Sequence, residues 1–167
     1  ITPLGEIVDN LSYGDIDGLP HHDQLLLADR EIMYLARIYK EIDDSANGGS
    51  ENALAEGDTI RIWDRKTGTT REEWTAFDAF STDIRLTWET VPFYGVPGQP
   101  EREGEINRWW NANSLQVGPS GNYVLSVKTH NQVISISPDF EHVEWVFAGP
   151  NGVYKFKAGD EKFYLPH

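Results

Sequence analysis

The sequence predicts an all-β fold, a fragment of about two four-stranded antiparallel blades of a β-propeller. Three observations lead there. Aromatic residues make up 12% of the 167 residues, with six tryptophans, and aromatic side chains favour pleated surfaces over long helices. Fifteen glycines and nine prolines require frequent turns. Four short strand patterns in the second half can be laid over four in the first, and a four-strand repeat is the sequence sign of a propeller blade.

The second half reads directly. Asn113 to Val117 is a short apolar-containing run, and Gly118-Pro119-Ser120-Gly121-Asn122 supplies turn residues. Tyr123 to Val127 is β-branched and aromatic, as a strand should be. His130-Asn131 turns, Gln132 to Ile136 alternates like a half-buried strand, and Ser137-Pro138-Asp139 turns again before Val143 to Phe147.

In the first half the counterparts are His22 to Leu27, Glu31 to Ile38, Thr59 to Trp63 and Arg71 to Phe77. Turns are expected at Ala28-Asp29-Arg30 and at Asp64 to Gly68, and a polar, glycine-rich loop at Glu41 to Gly57. The overlay sets Trp74 opposite Trp145 and Arg37 opposite Lys128. One stretch is ambiguous. In Ala28 to Ile42, the residues Ile32, Leu35, Ala36, Tyr39 and Ile42 also fall at helical spacing, with Asp29 placed to cap. Taken alone the segment favours a helix; the repeat favours a strand.

The expected organisation is a single propeller domain. Residues 1–9 end a preceding blade, 21–78 form a blade, 79–108 an insertion loop, 109–150 a second blade and 151–167 the approach to the next. The insertion is rich in aromatics and prolines, as loops that cover a site often are. Both ends read as cut, beginning at Ile1 and stopping in mid-phrase at Leu165-Pro166-His167.

Charge and composition exclude several function classes. A net charge of −13 repels phosphate backbones and anionic membrane surfaces, so neither nucleic acid nor membrane is an expected partner. The absence of cysteine removes disulfides, thiolate metal sites and a cysteine nucleophile. Asp15-Ile16-Asp17-Gly18 hints at a calcium loop but lacks the closing glutamate and reads as a turn. Asn10-Leu11-Ser12 is a formal glycosylation triplet.

The phrase Asn111-Ala112-Asn113-Ser114-Leu115, followed by Gly121-Asn122-Tyr123-Val124-Leu125-Ser126-Val127-Lys128, resembles one in the arylsulfotransferase family, where His-x-Asn-Ser precedes a glycine turn and a strand ending in Ser-x-Arg. Val133 to Ile136 and Glu144 to Gly149 are similar to that family's third and fourth strands. Pro20-His21-His22-Asp23 resembles its His-His phrase, Gly5 to Asp9 the end of a blade, and Phe163 to His167 its step into the following blade.

The resemblance implies a six-bladed propeller whose central channel binds a sulfate ester. A histidine takes the sulfuryl group from one phenol and passes it to another, with no nucleotide sulfate donor or other cofactor. On this reading His167 stands at the nucleophile's position and His22, or His21 beside it, at that of a sulfate-binding histidine. Asn111 stands where a histidine is expected and Lys128 where an arginine is. Asparagine cannot become a cation, and lysine lacks the planar two-pronged grip on an oxyanion. The expected partner is therefore a sulfated or phenolic small molecule, with other chains or a missing chain portion completing the propeller. An extracellular or periplasmic location is expected. A non-catalytic binding or scaffold protein on the same fold is the alternative.

For other residues the readings stay open. As strand neighbours, His21 and His22 point to opposite faces, so only one can line a channel. Arg37, Lys128 and His130 are either anion-binding or exposed strand ends. Trp109 and Trp110 either stack on a ligand ring or pack between blades, and Trp74 and Trp145 read as inter-blade core.

Overall fold

A computed structural model describes residues 16–27, 31–84, 89–92, 105–154 and 157. The chain is all-β, arranged as two sheets that match a propeller fragment. The strands are β1 Leu19–Leu26, β2 Glu31–Ile42, β3 Ala53–Asp64, β4 Thr69–Thr75, β5 Glu89–Pro92, β6 Glu105–Arg108, β7 Ala112–Val117, β8 Tyr123–Val127, β9 Gln132–Ile136 and β10 Val143–Ala148. A short helix α1, Ala76–Ala79, follows β4 with Thr75 as its cap.

The second sheet is the simple meander that local turn chemistry predicts, in the order β7-β8-β9-β10 with every pair antiparallel. The β8–β9 turn places Asn131 at φ 48, a left-handed conformation asparagine tolerates better than most residues. Residues Gln132–Ile136 and Tyr123–Val127 form the strands expected for them.

The first sheet contains the same meander, β1-β2-β3 with β4 on β3, and two further strands. β6 runs parallel to the start of β3, pairing Ala55 with Asn107 and Glu56 with Arg108, and β5 adds to β6. Two segments of the stretch expected as an insertion loop, β5 and β6, thus extend the sheet. The β2–β3 hairpin is also longer than expected. Its pairing runs unbroken from Glu31↔Asp64 to Ile42↔Ala53, so Glu41–Ile42 and Ala53–Gly57 are strand and the loop shrinks to the residues between. From Glu31 to Ile42 that pairing decides for the strand favoured by the repeat and against the helical spacing. Tertiary hydrogen bonding overrides local periodicity here.

One apolar core joins the two sheets. Met33, Leu35, Ile60, Ile62 and Trp74 from the first meet Leu115, Leu125, Val127, Ile134, Ile136 and Val146 from the second. The two-residue spacing within each strand is the pleat at work, one face per sheet turned inward. Trp109 and Trp110, both fully buried, fill the crossing between the sheets and contact Trp74, Phe77, Phe80 and His130. Packing between blades is therefore their use.

Register corrects one detail of the repeat. Leu35↔Ile60 and Leu125↔Ile134 are equivalent core pairs, and Trp74 lies opposite Ile60 whereas Val146 lies opposite Ile134. Val146, not Trp145, is thus the counterpart of Trp74, and Trp145 is only partly buried. Both strands carry a one-residue β-bulge, between Glu72 and Trp74 in β4 and between Val143 and Trp145 in β10, so the bulges cancel and Trp74 and Val146 keep the same face. By the same count Arg37 corresponds to Val127, one residue before Lys128.

Candidate functional site

The first strands of the two sheets, β1 and β7, lie side by side, and each is irregular at the same level. In β1 the register jumps between Pro20 and Gln24, and in β7 between Ala112 and Ser114. Bulges re-aim side chains and often sit beside active sites. The β1 bulge holds His21, His22 and Asp23, with His22 at φ 55. Asp23 ties the two strands together, its Oδ2 accepting the N–H of Leu115 at 2.9 Å.

His21 and His22 do diverge. The side chain of His21 is 8% exposed, that of His22 is turned outward, and the rings meet edge to face at 5.1 Å. Nε2 of His21 lies 3.0 Å from Oδ1 of Asp58, a carboxylate 1% exposed in the middle of β3. The separation is that of a hydrogen bond, although the ring N–H is not aimed along it. Nδ1 of His21 is buried with no hydrogen-bond partner.

Asp58 shares strand parity with Ile60 and Ile62 and so faces the second sheet, where Oδ2 accepts the N–H of Ala112 at 2.5 Å. The next residue back is Asn111, itself buried, whose carbonyl accepts the N–H of Lys128 at 2.8 Å. The fold therefore strings four predicted or adjacent positions together: His21, Asp58, the Asn111–Ala112 peptide and Lys128. His22 touches this chain of contacts only through its edge-to-face meeting with the His21 ring among the contacts described, and His167 lies outside the described residues. Asp58 escaped sequence reading because Glu56-Gly57-Asp58 looks like loop; its partners are far away in the chain.

A second buried charge cluster adjoins it. Glu56, 3% exposed at its side chain, accepts a hydrogen bond from Arg108 Nε at 2.7 Å, with Arg37 Nε at 3.8 Å, and Tyr39 donates to its other oxygen at 3.3 Å. Burial, then the Glu56 charge, pushes the Tyr39 hydroxyl up to about 12. The Glu56 carbonyl also receives the N–H groups of Trp109 and Trp110. Arg37 is thereby neither a free anion site nor a bare strand end.

His130 is different again. It is fully buried against both tryptophans, with Nε2 2.9 Å from the carbonyl of Ile84 and Nδ1 3.2 Å from the Thr129 hydroxyl. Desolvation pushes its pKa down to about 4, so it is neutral near pH 7 and cannot serve as an anion-binding cation. A cleft of about 510 Å³ lies elsewhere, between Glu72–Thr75 of β4 and Phe140–Val143 before β10. It contains none of the predicted site residues. Among the described residues no cluster suited to a metal ion occurs.

No curated protein and no solved structure gave a match to the chain. The family model described as Arylsulfotransferase (ASST) matches residues 4–165, nearly the whole sequence and both blades. The chain belongs to the arylsulfotransferase family.

Proposed function

We propose that this chain carries part of a site that transfers a sulfuryl group between phenolic compounds through a histidine intermediate. The family match supports arylsulfotransferase-like activity in general. The observation that favours a site on this chain is the buried His21–Asp58 contact, joined through Ala112 and Asn111 to Lys128.

Sulfuryl transfer asks for three things. A nucleophile divides the reaction into two steps, and His167 is the proposed one. Its ring nitrogen forms a bond to sulfur as the bond from sulfur to the aryl oxygen breaks, and a second phenol then reverses the exchange. Cations and hydrogen-bond donors stabilise the oxyanions, with Lys128 supplying charge and the Asn111 amide a donor. A group must also manage the phenolic proton. His21 and His22 are proposed substrate-side histidines.

Intact mass spectrometry after exposure to an aryl sulfate tests this. A gain of one sulfuryl group that disappears in His167→Ala is expected. A protein that binds the ester but never gains mass would favour a binding or scaffold role. Asn111 and Lys128 motivate that second reading, because they replace the histidine and arginine that the family phrase carries.

A further inference from the structure

We propose that Asp58 is a positioning residue for His21, holding the Nε2 proton so that Nδ1 faces the ligand bare and takes a phenolic hydroxyl. The inference rests on the sulfuryl-transfer reading and assigns one job within it.

The carboxylate of Asp58 is almost fully enclosed; Oδ2 accepts the N–H of Ala112, and Oδ1 lies 3.0 Å from His21 Nε2 without an aligned hydrogen bond. A buried carboxylate accepts and does not donate, so the nitrogen beside it carries a proton. In the neutral ring the other nitrogen is then a lone pair. That nitrogen, Nδ1, is buried without a partner, an arrangement that costs free energy unless a ligand supplies the missing donor. A sulfate oxygen has no proton to offer; a phenol does. Hydrogen bonds of this kind commonly align only when substrate is in place, which suits the unaligned Nε2–H.

The acceptor phenol loses its O–H bond, the proton going to Nδ1, as its oxygen forms the new bond to sulfur. The bond from sulfur to the histidine that carried the sulfuryl group breaks, and its electron pair returns to that ring. His21 becomes an imidazolium with Nε2–H still on Asp58, and it gives the Nδ1 proton to a phenolate in the opposite direction. Asp58 touches no substrate; it fixes which nitrogen of His21 is free.

Nitrogen-15 NMR of the histidine rings at about pH 8, above the ordinary histidine range, tests the proposal. His21 is expected to show a protonated Nε2 and a bare Nδ1, and added phenol is expected to shift Nδ1 whereas inorganic sulfate leaves it bare. Asp58→Asn keeps an oxygen for Ala112 but turns an amide donor toward His21. The equivalent exchange in a Ser-His-Asp triad preserves geometry and inverts the tautomer. It should move the ring proton to Nδ1 and lower kcat about a hundredfold or more with KM unchanged, and Asp58→Glu should restore part of the loss. A wild-type ring protonated at Nδ1, Nδ1 protonation on adding sulfate, or Asp58→Asn with unaltered tautomer and kcat would each overturn it. If Asp58→Asn does not fold, the wild-type spectrum decides alone. A protein with the expected tautomer but no sulfuryl transfer would instead sink the proposed function and leave the Asp58 assignment standing.

Discussion

His130 shows how a single side chain is repurposed by its surroundings. The unfolded chain protonates it near 6.5, the folded one only near pH 4. Across that window the unfolded state holds more protons, so stability is complete above about pH 6.5 and falls as pH drops toward 4. The lowered pKa implies a loss of about 3 kcal/mol over the window. Urea titrations at a series of pH values should show it, and His130→Phe should flatten that part of the profile. Gly57 makes a steric point at the same scale. A Cβ there would sit 2.8 Å from the Phe77 ring, which stacks on Trp109. Gly57→Ala should destabilise by about 1–3 kcal/mol, read from the thermal midpoint. On the functional side, Asn111→His with Lys128→Arg restores the residue types of the family phrase. If the proposed chemistry holds, turnover of an aryl sulfate by the double variant should rise about tenfold or more over wild type, because a bidentate cation grips an oxyanion better than a point charge.

Elements differ in how far their own sequence explains them. β8 and β9 need only neighbours, because alternating side chains and a tight turn set them locally. Their core pair, Leu125 and Ile134, fills space against the other sheet, and Leu125→Ala should cost about 2–5 kcal/mol in denaturant unfolding. β6 is the opposite case. It holds to β3 by a short parallel pairing, and the Arg108–Glu56 pair fastens it from the side. Glu56→Ala takes the shared carboxylate from Arg108, Arg37 and the Tyr39 hydroxyl and should cost about 1–3 kcal/mol. Hydrogen exchange should show Asn107 and Arg108 losing protection before β8 does.

At the scale of the whole molecule, the two sheets are joined by a shared apolar face and by two carboxylate latches. Asp23 takes the N–H of Leu115 and Asp58 that of Ala112, both across from one sheet to the other. The latches fall at the bulged level of the inner strands, so the contacts that dock the blades also shape the proposed site. The sequence by itself determined the fold class and the second meander strand by strand. These rest on pleat alternation, turn residues and phrases only a few residues long. The repeat already pointed to a strand from Glu31; tertiary structure alone decided that Glu56 and Asp58 lie in β3 and that Val146 replaces Trp145 in the core. For Glu56 and Asp58 the reason is distance along the chain. A polar residue reads as loop until the partner that neutralises it is known, and those partners, Arg108 and Ala112, are about fifty residues away in the chain.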